Sequence, residues 1–341
     1  MDTDDEPHHI PELWIEDGNI IIEAGNSRFR VHRSTLGAYS PVFRDMLVFP
    51  QPPDSELVDG CPLVLLHDSE MEVTVFLKAL FKPDYFKPFP ATTEYPIIQG
   101  CLRLSHKYEV DFLRLRSLIH LSSCYRTTLS EWDIDEYHTD VEDPSSHRLS
   151  EMASWSLPEE PGYIVSLIQL AREVEATWIL PGAFYRLGVL SGELIAELFF
   201  GTMYKGSPAR LSEQDQKAFL RGHLWQTQAS TAHTLGFLTT PPVNIPGCPF
   251  PAACLVERAS AIEALRKMIK EYPSIPLAVW DESDWALLQE ACIGCRRALK
   301  EAHNEARMAI WDELPKKYGL PPWEELEKMK TEAIGARWWL S

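Results

Sequence analysis

The stretch from residue 29 to residue 47 constrains the fold of this chain most, because it joins a short strand to two closely spaced helical turns. Phe29 and Val31 alternate as the buried face of the strand, and an apolar period typical of a helix follows. Ser40 can cap a second helix through its hydroxyl, and Pro41 suits the first helical position, where no backbone donor is needed. Each of the three elements therefore has an apolar face, and the segment requires a core to cover it.

Elements of similar size are predicted on both sides of this stretch. A strand precedes it at residues 18–24, and another follows at residues 61–66. Helical patterns then cover residues 71–81, 97–108 and 111–119. The predicted order is strand, strand, helix, helix, strand, helix, helix, helix, which is that of a mixed α+β domain.

One motif runs from the strand into the second helix: Phe29-Arg-Val-His32-Arg33, Leu36-Gly-Ala38-Tyr-Ser40 and Pro41-Val-Phe43-Arg-Asp-Met46. A second motif is Leu102-Arg-Leu-Ser-His-Lys-Tyr108. In both motifs this N-terminal part resembles the BTB/POZ family, in particular the BTB proteins that are abundant in basidiomycete fungi. We therefore expect an α+β fold in which a BTB/POZ-like N-terminal domain is followed by an all-helical C-terminal region.

The resemblance also implies that the domain self-associates as a homodimer. In BTB domains the positions matching His32 and Arg33 lie near the base of the dimer groove, which makes both candidates for partner contacts. Asn19 stands where many members carry an aspartate, and Phe43 and Met46 complete the candidate interaction residues. The alternative is that His32 hydrogen-bonds within its turn and that Arg33 is a structural ion-pair donor.

The chain is predicted to divide into five segments, because its composition and periodicity change along its length. They are a flexible acidic leader (1–11), a BTB/POZ-like domain (12–126), an acidic linker (127–161), a helical extension (162–239), and a C-terminal helical hairpin with a tail (240–341). The linker is predicted from its acidic, turn-forming sequence, which has no apolar period. The hairpin is predicted to pair helices over residues 254–271 and 284–311.

The charge balance bears on the partners of the protein. The chain has 32 lysine and arginine residues against 50 aspartate and glutamate residues, a formal net charge of −18. A field of this sign repels phosphate backbones and anionic membrane surfaces, so we expect no direct binding of nucleic acid or membrane. No apolar stretch has the length of a membrane span, and the N-terminus is acidic where a secretory signal is basic and then apolar. We therefore expect an intracellular protein of the cytoplasm or nucleus, whose seven cysteines are reduced.

Four of the cysteines are spaced as metal ligands, in the pairs Cys248 with Cys254 and Cys292 with Cys295. Four thiolates can hold a structural zinc ion, which here would link the two C-terminal helices. The alternative is core packing, because Cys292 and Cys295 fall on an apolar helical stripe, where cysteine acts as a small hydrophobe. If the helices are antiparallel, Cys254 lies nearer the level of His303, on the order of ten ångströms from Cys295 along the axis. The spacing alone permits both interpretations.

No catalytic site is predicted, because the chain has no phosphate-binding glycine loop, Gly-x-Ser-x-Gly elbow, His-Glu-x-x-His pair or calcium loop. We expect a non-catalytic adaptor that self-associates through the BTB-like domain and recruits another protein through its helical region. One alternative is a substrate receptor of a cullin-type ubiquitin ligase, with the cullin scaffold as partner, because other BTB proteins have this role. A second alternative is a small-molecule enzyme whose site lies in the helical half. No cofactor is expected, apart from the zinc ion that one of the two interpretations of the cysteines implies.

Overall fold

The computed structural model describes most of the chain and confirms the predicted α+β class. The described residues are 7–48, 57–137, 153–158, 160, 162–189, 199–205, 207–239, 241, 245–271 and 275–336. A five-stranded sheet and its neighbouring helices form the N-terminal part. The rest of the described chain consists of helices and one short hairpin.

The sheet lies at the N-terminal end of the chain. It comprises β1 (His8–Trp14), β2 (Ile20–Ala24), β3 (Ser27–Val31), β4 (Leu57–Val58) and β5 (Cys61–Leu66), in the order β1-β3-β2-β5-β4. β2 pairs antiparallel with β3 and parallel with β5, while β1 pairs parallel with β3. The face of β3 that bears Phe29 and Val31 is buried, as its alternation predicts.

Five helices share a core with the sheet. They are α1 (Arg33–Tyr39), α2 (Pro41–Val48), α3 (Glu70–Phe81), α4 (Tyr95–Lys107) and α5 (Asp111–Ser122). The order of elements from β2 to α5 is the predicted one, with the short β4 added before β5. Ser40 caps α2 as predicted, because its Oγ accepts the N–H of Phe43 at 2.9 Å. The same hydroxyl donates to the carbonyl oxygen of Tyr108 at 2.6 Å, which ties α2 to the end of α4.

The prediction of a flexible leader over residues 1–11 is wrong from His8 onward, because β1 begins there. Most of the strand is exposed, although Leu13 is fully buried. The backbone of β1 pairs with β3, and His8 Nε2 lies 3.1 Å from the hydroxyl of Ser27. Main-chain pairing fixes this segment, and such pairing leaves little trace in the apolar pattern of the sequence.

The C-terminal part begins with α6 (Leu129–Tyr137), α7 (Gly162–Glu173), a 3₁₀ turn (Thr177–Ile179) and α8 (Leu180–Val189). It continues with α9 (Glu213–Thr239), α10 (Pro251–Glu271), α11 (Glu282–Ala286), α12 (Ile293–Lys317) and α13 (Trp323–Ile334). The prediction of an all-helical region is wrong, because β6 (Thr202–Tyr204) and β7 (Ser207–Ala209) form an antiparallel hairpin between α8 and α9. The hairpin buries the side chains of Tyr204 and Ala209 in the same hydrophobic core as the N-terminal sheet and helices, which we call the main core. Among the described helices, none is long and apolar enough to cross a bilayer.

Part of the predicted acidic linker (127–161) is structured, since α6 lies within it. The side chain of Trp132 is 1% exposed and lies edge-on to Tyr185, with ring centroids 5.6 Å apart. Asp133 in the same helix accepts hydrogen bonds from two nitrogen atoms of the Arg307 guanidinium. A buried tryptophan and a paired carboxylate therefore hold the segment that its acidic composition assigned to a linker.

One hydrophobic core joins the N-terminal unit to the helical part, and it extends from Leu13 to Ile334. A buried chain of polar side chains crosses the same junction. Glu72 in α3 accepts a hydrogen bond from Gln99 in α4 at 3.0 Å, and Gln99 accepts one from the Ser166 hydroxyl in α7 at 3.1 Å. Because Glu72, Gln99 and Ser166 satisfy one another, these three groups are buried at the junction without the cost of an unpaired polar atom.

A second, smaller hydrophobic core lies beside the first turns of α10 and α12. It comprises Phe237, Leu238, Ile245, Cys254, Ala261, Leu265, Trp280, Leu288, Ala291, Cys295 and Leu299. A core of this size buries little apolar surface compared with that of a typical domain. Small cores are commonly reinforced by a disulfide or a metal ion, and two of these side chains are cysteines.

Candidate metal centre

Cys248, Cys254, Cys292 and Cys295 come together at the second core. Their four sulfur atoms all lie within 4.8 Å of one another. The Sγ of Cys248 is 3.7 Å from that of Cys254 and 3.7 Å from that of Cys292. Cys254 and Cys295 are buried, and the other two are half-buried. The four cysteines are therefore close enough together to bind a metal ion.

The local structure places two thiols at the start of each of two helices. Cys248 lies in a turn just before α10, where Gly247 has a positive φ of 77° that favours glycine, and Cys254 lies in the first turn of α10. Cys292 is the N-cap residue of α12, and Cys295 lies in the first turn of that helix. The starts of α10 and α12 therefore meet at the cluster.

The expectation that Cys254 lies far from Cys295 along the helix axes is wrong. It assumes one helix over residues 284–311, but α11 ends at Ala286 and α12 begins only at Ile293. The N-cap cysteine begins a new helix, since its sulfur accepts the backbone N–H three residues later, as a serine hydroxyl does at other helix starts. The segment between α11 and α12 therefore brings the chain back to the start of α10, and α12 begins there.

Two of the separations between the sulfur atoms match those of tetrahedral zinc coordination. Zinc–sulfur bonds of about 2.3 Å place the ligand sulfurs roughly 3.8 Å apart along each edge of the tetrahedron. The two separations of 3.7 Å from the Cys248 sulfur match this edge. A disulfide needs sulfur atoms about 2.05 Å apart, and all four cysteines are free.

Backbone donors favour negative charge on Cys292, whereas burial raises the pKa of Cys248 and of Cys295 and so opposes negative charge there. The N–H of Cys292 donates to the Sγ of Cys254 at 3.3 Å, and the N–H of Cys295 donates to the Sγ of Cys292 at 3.5 Å. The second bond lowers the pKa of Cys292 to about 7. Burial lowers the pKa of Arg258, and the charge of the nearby Cys295 thiolate opposes that shift. A zinc ion with four thiolates has a net charge of about −2, which these donors and Arg258 would partly offset.

The candidate interaction residues Asn19, His32 and Arg33 contact their own unit. The Oδ1 of Asn19 accepts the backbone N–H of Arg33 at 2.8 Å, and the Arg33 guanidinium donates to the carbonyl oxygen of Leu47. His32 Nε2 lies 3.3 Å from a carboxylate oxygen of Asp17. These contacts differ from the alternative interpretation, because His32 contacts Asp17 outside its own turn and Arg33 donates to a backbone carbonyl rather than to a carboxylate.

Phe43 is a core residue, contrary to its prediction as an interaction residue. Its side chain is fully buried and stacks on Tyr108, with ring centroids 4.4 Å apart. Met46 is half-buried and packs against the same core. α2 thus turns its apolar stripe inward, as its helical period requires.

An exposed apolar face on α1 and α5 was not predicted from the sequence. The rings of Tyr39 and Phe112 are in contact, with centroids 5.2 Å apart, and their side chains are 48% and 39% exposed. Leu115 lies one turn further along α5 and is 43% exposed. The sequence does contain a signal for this face. Phe112 and Leu115 are apolar, yet their helical positions lie outside the buried stripe that contains Leu113 and Leu121.

No protein-family model, curated protein or solved structure matches the chain. The function of the protein must therefore be inferred from its own residues and their geometry. Two features of the structure are available for that inference. They are the four-cysteine cluster and the exposed apolar face of Tyr39, Phe112 and Leu115.

Proposed function

We propose that the protein is a non-catalytic adaptor. It self-associates through a BTB-like domain of residues 12–126 and recruits another protein through its helical part. The resemblance of residues 29–46 to BTB/POZ domains supports the proposal, and so does the order of elements from β2 to α5. The motif and the order of elements are separate features of the same unit, and both favour the same interpretation.

The observation that carries the proposal is the exposed apolar face formed by Tyr39, Phe112 and Leu115. Apolar side chains gathered on one surface are stabilised when another surface covers them, by roughly 25 cal/mol for each Å² removed from water. The guanidinium of Arg116 lies 5.6 Å from the Phe112 ring, so a cation borders this face. Two-fold pairing would place this face against the same face of a second copy and would bury the three side chains of both protomers.

Light scattering of the full chain tests self-association. We expect a dimer for the wild type and a monomer for Leu115→Glu, because the variant would bury an unpaired carboxylate. Leu224→Glu is a matched control, since Leu224 is 63% exposed on α9, and it should stay dimeric. Thermal melts of both variants show whether the fold is retained. A wild type that is monomeric at all concentrations would refute the proposal, as would a folded Leu115→Glu variant that remains dimeric.

We further propose that the four cysteines bind one structural zinc ion. The sulfur spacing supports this proposal, because two of the separations match the edge of a zinc tetrathiolate. The composition of the second core supports it as well, because two of the four thiols are among its buried side chains. The ion would supply charge neutralisation and four bonds, while Cys248, Cys254, Cys292 and Cys295 would hold it.

Elemental analysis of the purified full chain tests the zinc proposal. We expect one zinc ion per chain in the wild type and loss of bound zinc in Cys295→Ser, because a hydroxyl is a much poorer zinc ligand than a thiolate. Cys61→Ser is the matched control, since Cys61 is also buried but belongs to β5, and it should retain the metal. A wild type without metal would refute the zinc site, and so would equal zinc contents in the two variants.

A further inference from the structure

Two cavities lie end to end along α12. The first, of about 380 Å³, lies between Trp285 of α11 and α12 and reaches Asn304. The second, of about 540 Å³, begins at Asn304 and extends to Trp311 and to Trp323 of α13. Asn304 lines both cavities, so they adjoin at this residue, and we name the two together the α12 groove.

One face of α12 forms the floor of the α12 groove. The residues of this face recur at intervals of three or four: Ile293, Arg297, Lys300, Asn304, Met308 and Trp311. At 1.5 Å per residue this face is about 27 Å long, which corresponds to roughly eight residues of an extended chain or five turns of a helix. A groove of this length suits a peptide segment better than a compact small molecule.

The end of the α12 groove next to the metal centre is positively charged. Arg296, Arg297 and Lys300 line it together with one carboxylate, that of Glu301. Within the part of the chain that the structure describes, none of these three cations forms an ion pair. The Lys300 ammonium lies 5.2 Å from the centroid of the Trp285 ring, and none of the three cations has a carboxylate partner among the described residues. In a chain of net charge −18, this local excess of positive charge favours an anionic partner.

The opposite end of the α12 groove has apolar side chains, Met308, Trp311 and Trp323, beside the polar Asp133, Arg307 and Asp312. Met308 is 56% exposed there, and the rings of Trp311 and Trp323 stack with centroids 4.6 Å apart. The indole N–H of Trp323 donates to the carbonyl oxygen of Trp311 at 2.7 Å, which fixes the pair. Trp311 is only 4% exposed, so Met308 and the half-buried Trp323 provide the apolar surface at this end, and a fixed aromatic ring binds a bulky apolar side chain at a low cost in conformational entropy.

We propose that the α12 groove docks a segment of another protein that has acidic residues at one end and a bulky apolar side chain at the other. The acidic residues face Arg297 and Lys300, and the apolar side chain rests against Met308 and Trp323. This inference rests on the proposed adaptor function, since it names the class of partner that the helical part recruits. Ile293 is 71% exposed and adds an apolar contact beside the cations.

A nucleic acid would match the cations of the α12 groove but not the rest of the molecule. A long polyanion extends beyond the groove, and the net charge of −18 repels it over a Debye length of about 8 Å at physiological salt. A short acidic segment mainly meets the local cations. A protein segment also supplies the apolar side chain that the tryptophan end accepts.

Selection of random peptides of about twelve residues on the immobilised full chain tests the proposal. We expect the enriched peptides to combine aspartate or glutamate with tryptophan, leucine or phenylalanine. An enriched peptide is then labelled and titrated by fluorescence anisotropy. The double variant Arg297→Glu/Lys300→Glu should weaken its binding by roughly tenfold or more, and added salt should weaken binding to the wild type. Met308→Asp should weaken binding through the apolar end.

Lys328→Glu is the matched control, because Lys328 is 76% exposed on α13 and its surface pair with Glu332 is 4.0 Å long. It should bind the enriched peptide as the wild type does. The inference is refuted if the wild type enriches nothing beyond the double variant, or if binding survives Met308→Asp. It is also refuted if the wild type binds no peptide but binds a short DNA duplex, and if the double variant loses this DNA binding.

Light scattering of the same samples separates this inference from the proposed self-association. A monomeric chain that still binds the peptide would refute the dimer and leave the α12 groove supported. A dimeric chain that binds no peptide would refute the groove and leave self-association supported.

Discussion

The sulfur atoms of Cys248 and Cys292 lie 3.7 Å apart, although 44 positions separate the two residues in the chain. Cys254 and Cys295, which complete the cluster, belong to the second hydrophobic core, so this core and the candidate metal centre form one structural unit. A cross-link between such distant residues removes much of the freedom of the unfolded chain. The proposed ion would therefore stabilise the C-terminal part in a way that its small core does not achieve alone.

Metal removal is expected to loosen the second core and leave the main core intact. In hydrogen exchange, a zinc chelator should accelerate exchange at residues 251–265 and 293–303, but not at residues 95–122, whose helices belong to the main core. Cys295→Ser should show the faster exchange without chelator, and Cys61→Ser should not. Unchanged exchange in the two C-terminal ranges after chelation would contradict a stabilising metal.

A substitution at Gly222 is expected to disrupt the contact between α9 and the end of α12. A Cβ at Gly222 would lie 2.1 Å from two ring carbons of Tyr318, which is fully buried and donates a hydrogen bond to Gln226 at 2.5 Å. Gly222→Ala should therefore lower the free energy of unfolding by about 2 kcal/mol, as overpacking does. Denaturant unfolding measures the change.

The control for this prediction is Gly236→Ala in the same helix. No atom lies within 4 Å of a Cβ at Gly236, so the alanine meets no obstacle. The substitution should raise the free energy of unfolding by up to about 1 kcal/mol, because alanine is the better helix former. Equal effects at Gly222 and Gly236 would show that the contact with Tyr318 is not tight.

The N-terminal unit could be predicted because its signals are local. The alternation of Phe29 with Val31 and the cap at Ser40 each involve only a few neighbouring residues, and both are present in the structure. β1 could not be predicted, since its pairing with β3 depends on main-chain hydrogen bonds between distant segments. α6 was missed for a related reason, because the burial of Trp132 depends on distant helices that its own acidic neighbourhood does not reveal.

The candidate metal centre could be predicted as a set of residues but not as a geometry. The spacing of the four cysteines indicated them as candidate ligands, while their mutual distance depends on where α12 begins. The apolar period runs on across the break between α11 and α12, so periodicity alone hides it. The α12 groove was missed because its walls come from α6, α11 and α13, which only the tertiary structure brings beside α12.

Glu72 is expected to hold the junction between the N-terminal unit and the helical part. It is 4% exposed, and it accepts hydrogen bonds from Gln99 and from the guanidinium of Arg103. Glu72→Gln should lower the free energy of unfolding by about 2 kcal/mol. This loss is smaller than for a buried pair whose remaining partner is left unpaired, because Arg103 keeps its bond to Glu173. Glu263→Gln is the control, since Glu263 is 70% exposed in a surface pair, and it should cost less than about 0.5 kcal/mol. Similar losses in the two variants would contradict the role of Glu72.

The imidazole of His120 is buried in its neutral form. Its Nε2 lies 2.9 Å from the carbonyl oxygen of Lys87, and its Nδ1 lies 2.7 Å from the hydroxyl of Ser154. Because a carbonyl only accepts, Nε2 carries the proton and Nδ1 accepts the hydroxyl of Ser154. Burial lowers the pKa of His120, the bond to Lys87 opposes this shift, and the charge of Arg116 adds to it.

Acid is therefore expected to destabilise the fold through His120. Between its lowered pKa in the folded state and the value of about 6.5 in the unfolded chain, the unfolded state binds more protons. The free energy of unfolding then falls as the pH drops through this window, by at most about 1.4 kcal/mol per pH unit. The free energy of unfolding, measured with urea between about pH 7 and pH 5, should fall less steeply with decreasing pH for His120→Gln than for the wild type. His106→Gln should keep the wild-type slope, since His106 is exposed on α4. If the two variants gave the same slope, the protons would be taken up elsewhere, and the buried imidazole would not be the acid-sensitive group.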